Sequence, residues 1–100
     1  MVMIRHVVLL KWKDGTMTEQ RRQAVAAIRE LPRHVETIRA FVVGEDAGLE
    51  VGTFDVVIVA DFDDAAGYIA YRDHPVHRDL IQRLTDPIRE ARVALQYEWS

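Results

Sequence analysis

Apolar and polar residues alternate through residues 3–12. His6, Val8, Leu10 and Trp12 fall on one side of an extended chain, and Arg5, Val7, Leu9 and Lys11 on the other. Apolar residues sit on both sides of this first strand. Asp14-Gly15 then signals a turn. Ala24, Ala27, Ile28 and Leu31 follow at helical spacing and predict a helix that starts at Thr16 or Thr18. Thr16 with Glu19 fits a capping box, and Thr18 is the simpler N-cap. Pro32 ends the element by disfavouring helical backbone at Leu31. A second strand is expected over Ile38 to Gly44, with Ile38, Ala40 and Val42 facing away from Arg39. Phe54 to Phe62 is apolar almost throughout, which predicts a strand buried on both faces. There Val56, Ile58 and Ala60 share a side with Phe54 and Phe62.

Asp63 or Asp64 is the expected cap of a short helix carrying Tyr68, Ile69 and Tyr71. The His74-Pro75 step breaks or re-aims it, and Pro75 suits the first position of a new helical turn. Val76, Leu80 and Leu84 then recur at helical spacing up to Thr85-Asp86-Pro87. Alternation of Ala91, Val93, Leu95, Tyr97 and Trp99 with polar neighbours predicts a last strand.

The order β-α-β-β-α-β predicts an α+β, ferredoxin-like fold: one domain over residues 1–100, with the helices on one face of a four-stranded antiparallel sheet. Two helical regions cover only one face, yet the first and third strands are apolar on both. The uncovered face needs a partner, and a second copy is the economical one, so a homodimer is expected. The space between two such sheets is also an expected place for a small apolar ligand.

Composition narrows the function. The chain has 100 residues, 49% hydrophobic and 29% charged, with a formal net charge of -3. Its basic residues are scattered, which argues against nucleic acid and against a polybasic membrane surface. No apolar run approaches membrane-spanning length and no signal peptide opens the sequence, so a cytoplasmic protein is expected. The absence of cysteine excludes disulfides and thiolate catalysis. Ser100, the last residue, is the only serine, so a Ser-His-Asp arrangement fails. There is no glycine-rich phosphate loop and no dinucleotide fingerprint, and no cofactor is expected.

Reactive side chains gather in Tyr71-Arg72-Asp73-His74-Pro75-Val76-His77. Neutral imidazole can remove a proton next to a carbonyl, and a phenol O–H can support the oxygen that gains charge. Tyr71 and His77 would point roughly 120° apart on one straight helix, so their convergence depends on the Pro75 break. His74-x-x-His77 offers two metal ligands, too few for a site, and no metal is expected. Asp61, Asp63 and Asp64 read as capping residues. His6 lies on an apolar strand face, where a core or a pocket-lining role is open.

Three stretches resemble the stress-responsive alpha/beta barrel (Dabb) family of the dimeric alpha/beta barrel superfamily. They are Ile4 to Lys13 with its early His and Lys-aromatic-Lys ending, Phe54 to Asp61-Phe62 running into Asp63-Asp64-Ala65, and Tyr71-x-x-His74-Pro75-x-His77. The resemblance covers residues 2–99. It implies a homodimer whose sheets close into an alpha/beta barrel, with a pocket under the helices. A plant member of the family folds a linear polyketide into an aromatic acid without a cofactor. By motif its catalytic Tyr and His match Tyr71 and His77, and a cavity His matches His6. The expected site is therefore catalytic Tyr71 and His77, with His6, Val8, Trp12, Phe54 and His74 around a small apolar or aromatic carbonyl compound. Cofactor-free cyclase, lyase or isomerase chemistry is the leading expectation. The alternatives are a non-catalytic, stress-associated binding module and a cofactor-free monooxygenase.

Overall fold

The computed structural model describes residues 2–100. The elements are β1 (Met3–Trp12), α1 (Thr18–Arg29), a 3-10 turn (Leu31–Arg33), β2 (Ile38–Glu45), β3 (Val56–Phe62), α2 (Ala65–Asp73), α3 (Pro75–Leu80), a π-helical segment (Ile81–Thr85) and β4 (Arg89–Trp99). The strands form one sheet in the order β2-β3-β1-β4. Every neighbouring pair is antiparallel. This is the ferredoxin-like arrangement the alternation predicts. Among the described residues, no helix is long and apolar enough to cross a membrane.

The helices pack on the face that carries Val8, Leu10 and Trp12 of β1 and Val56, Ile58, Ala60 and Phe62 of β3. Ala24, Val25 and Ile28 of α1, Leu31 and Leu80 close this core. The opposite face is open. It carries Val7 and Leu9, Val57 and Val59, and the β4 residues Val93, Leu95 and Tyr97. Val42, Val93, Leu95 and Tyr97 are 58%, 50%, 63% and 42% exposed. Arg5 also lies on this face. Its guanidinium meets the Asp61 carboxylate through two hydrogen bonds, 2.7 and 2.9 Å long, and stacks 4.0 Å over the Trp99 ring. The Trp99 indole N–H is buried and has no acceptor.

Local chemistry moves several expected boundaries. The N-cap of α1 is Met17, not Thr16 or Thr18; its backbone N–H donates to the Gln20 side chain at 3.0 Å, and Thr16 instead donates to the Lys13 carbonyl. In β2 the pairing shifts between Ile38 and Ala40. That irregularity reverses the alternation, so Phe41 and Val43 join Ile38 on the core side and Ala40 and Val42 turn outward. Asp64, not Asp63, caps α2 by accepting from the Gly67 N–H at 2.8 Å. The Val76-Leu80-Leu84 period is kept in part: Leu80 is buried and Leu84 packs against the core, while Val76 is exposed. The Asp86 N–H reaches back five residues to the Ile81 carbonyl at 2.8 Å, and Thr85 takes the buried position.

Candidate functional site

His74 is the hinge of the site. Its backbone is extended (φ -61°, ψ 132°), so it ends α2 and caps α3 at once. Its Nδ1 accepts from the Val76 N–H at 3.1 Å, one of the amides a helix start leaves free. Pro75 fills the first helical position, where a missing N–H costs nothing. One non-helical residue thus re-aims α3 and cancels the angular separation of a straight helix. The Tyr71 and His77 rings meet with centroids 4.2 Å apart and planes inclined by 34°. They pack against each other as tilted rings and share no hydrogen bond.

His6 approaches from β1. Its ring centroid lies 5.9 Å from that of Tyr71, so Tyr71 neighbours both imidazoles. Beneath the helices, these three side chains and Val8 line an internal cavity of about 60 Å3. Ile81, Thr85 and Arg92 also form part of its wall. The cavity lies between sheet and helices within one chain, not between two sheets. Trp12 packs in the core beyond it, Phe54 lines a separate groove beside the 46–55 loop, and His74 serves the helix break. Of the expected lining residues, His6 and Val8 are at the cavity, while Trp12, Phe54 and His74 are not. The 44–52 loop lines no part of it either.

Hydrogen bonds fix the protons. His77 Nδ1 lies 3.1 Å from the Arg72 carbonyl, which can only accept. Nδ1 therefore carries the proton and Nε2 keeps its lone pair. His6 is the opposite case. The Gln96 amide nitrogen donates to His6 Nδ1 at 2.7 Å, so the proton sits on Nε2. Burial, reinforced by the charge of Arg92 and by His77, pushes His6 down from 6.5 to about 4. Burial also holds His77 below the usual imidazole value; Arg92 and His74 act the same way, and the Arg72 carbonyl opposes them. Both rings are neutral at pH 7. Burial pushes the Tyr71 phenol well above its usual value and keeps it a donor. The site thus offers two neutral donors, Tyr71 O–H and His6 N–H, and one basic nitrogen on His77.

Arg92 was not anticipated. It faces the helices from β4, directly opposite Leu10. The available signal was polarity. In β1 the apolar side faces the helices, whereas in β4 the polar side with Arg92 and Gln96 does so. Among the described residues no group of His, Asp and Glu is arranged to hold a metal ion.

A model of the family described as the stress responsive A/B barrel domain matches residues 4–99. Among solved structures, the chain is similar to a dimeric ferredoxin-like protein of unknown function from Thermobifida fusca. Identity is 35%, coverage is 98% of this chain and 92% of that one, and the TM-score is 0.88. It is similar to a dimeric ferredoxin-like protein from Bacteroides fragilis at 26% identity, covering 97% and 96%, with a TM-score of 0.82. A hydroxynitrile lyase from Passiflora edulis is similar at 20% identity, covering 98% and 94%, with a TM-score of 0.85; that likeness is one of fold alone. No curated protein matches the chain.

Proposed function

The chain belongs to the stress-responsive A/B barrel family, and from that premise we propose that it is a homodimer binding a small carbonyl compound under its helices, with His77 as a base. Two things support the dimer. The Thermobifida and Bacteroides relatives are dimeric. The open sheet face exposes Val42, Val93, Leu95 and Tyr97.

The observation that carries the chemistry is the fixed tautomer of His77. Its Nδ1 proton is held by the Arg72 carbonyl, and its ring lies against Tyr71 at the cavity wall. In the proposed step, Nε2 takes a proton from the carbon next to the substrate carbonyl. The electron pair of that C–H bond moves into the enolate, and the oxygen gains charge. Tyr71 O–H and His6 N–H stabilise that oxygen. His77 then returns the proton to carbon, which completes an isomerisation or exchange without any cofactor. Size limits the substrate. The cavity of about 60 Å3 has room for a few waters or a small organic group. Only a reacting end of a few heavy atoms fits inside, and the rest of a larger substrate would extend beyond the cavity.

The test is exchange of the α-hydrogens of a small ketone such as butanone in deuterated buffer, followed by proton NMR. The wild type should accelerate exchange, and His77→Gln should lose at least about a hundredfold of that rate. Exchange at the wild-type rate in the variant would end the assignment. The same cavity size favours a second reading, a non-catalytic binding module. In that case butanone shifts the His77 ring resonances and no exchange occurs.

A further inference from the structure

The cavity does not stand alone. Outside it lies a solvent-open groove of about 620 Å3, bordered by Arg72, Asp73, Arg78 and Asp86. His77, Ile81 and Arg92 line both spaces and form the threshold between them. A molecule whose carbonyl end reaches His77 must leave its remainder in this groove.

The groove is electrostatically one-sided. Together the two spaces present Arg72, Arg78, Arg89 and Arg92 against only Asp73 and Asp86. Arg72 is taken by Asp73 at 2.9 Å, and Arg89 by Asp86 at 2.8 Å. Arg78 and Arg92 form no ion pair among the described residues. This surplus stands out in a chain whose net charge is -3. Arg92 is the one placed at the threshold. The strand position opposite Leu10 holds it there, at the edge of the sheet. A guanidinium in that place costs the site something, because its charge disfavours protonation of both imidazoles. A carboxylate in the groove would neutralise it through paired N–H donors.

We infer that the ligand of this site is a small oxo acid, whose carboxylate binds Arg92 in the groove while its carbonyl end enters the cavity beside Tyr71 and His77. This inference rests on the reading of His77 as the group that meets the carbonyl. It adds the half of the molecule that reading leaves unspecified. A neutral ketone would fill the cavity and leave Arg92 unused. The acid also brings its own counter-charge, and by screening Arg92 it makes His77 more basic when the substrate is bound.

The experiment is a paired NMR titration of the wild-type protein with 2-oxobutanoate and with 2-oxobutanamide, its uncharged counterpart, following the imidazole resonances. The acid should bind about tenfold more tightly than the amide, the effect of one charge-assisted contact. Raising the salt should narrow the gap. In Arg92→Gln the two probes should bind alike, and Arg92→Lys should restore part of the difference. Equal affinities in the wild type, with the His77 resonances still shifting, would overturn the oxo-acid inference and leave the His77 reading standing. A gap that depends on Arg92 while the His77 ring never responds would do the reverse. If neither probe shifts any resonance at tens of millimolar, both readings fall.

Discussion

Arg5 and His6 are neighbours in one strand and belong to two different molecules in the chemical sense. Arg5 points to the open face, charged, paired with Asp61 and stacked on Trp99. His6 points under the helices, neutral, beside Tyr71 and the cavity. The same division runs across the sheet. The helix side is closed by large side chains such as Phe62 and Leu31, and its two imidazoles are hydrogen-bonded in fixed tautomers. The open side is apolar, exposed and flat, with one ion pair set into it. A strand repeats every two residues, so a single sheet serves assembly with its odd positions in β1 and chemistry with its even ones. The two tasks are separable by mutation because they share a backbone and almost no side chains.

The comparison is broken most sharply from the open side. Leu95→Asp places an unpaired charge where the partner subunit would cover it. The dimer constant should weaken by at least about a hundredfold, seen in sedimentation equilibrium. The ketone titration of His77 should survive in the resulting monomer. If that titration is lost with the dimer, the two faces are not independent.

The helix side carries the next effect. His6 has a folded value lowered to about 4 from 6.5, so between those pH values the unfolded chain binds a proton that the folded chain refuses. Stability is therefore fully present above 6.5 and falls as the pH drops toward 4. The total loss is about 3 kcal/mol from this group, at up to about 1.4 kcal/mol per pH unit. His6→Gln should remove that component, whatever it does to baseline stability. Urea unfolding at pH 7.5, 6 and 5 gives both slopes, and identical slopes would refute a buried neutral His6. The smallest effect is at the hinge. His74→Ala deletes the acceptor for the Val76 N–H and should cost about 1 kcal/mol in the same assay, with dimerisation untouched.

Much of this was legible in the sequence. Periodicity located all four strands, and the excess of apolar positions in β1 and β3 announced a second face in need of cover. The Tyr71–His77 segment was legible as a helix break, because proline acts on backbone geometry directly, but whether the break brings the two rings together was not. What escaped depended on contacts remote in sequence. The β2 irregularity at residues 38–40 turns Phe41 inward, and nothing in that strand's own pattern marks it. Arg92 gains its importance from lying opposite Leu10 across a sheet, a pairing set by register alone. Trp12 and Phe54 were placed near the ligand because they share a strand face with real lining residues. That face of β1 carries Ile4, His6, Val8, Leu10 and Trp12, however, and the cavity is lined only by the middle three.

The π-helical segment at Ile81–Thr85 has a consequence for how this protein can diverge. Ile81 and Thr85 both wall the cavity, and the wide turn between them accommodates one more residue than an α-helix would. Loss of a single codon there would restore α-helical winding and shift the side chains within this turn by about 100°. Thr85 would leave the wall and a different residue would replace it, with the sheet and the two imidazoles untouched. The size of the chamber is thus adjustable by the length of the gene as well as by its spelling. Descendants of one ancestor could differ in the molecules they admit by an insertion that no comparison of the residues at the reacting end would reveal.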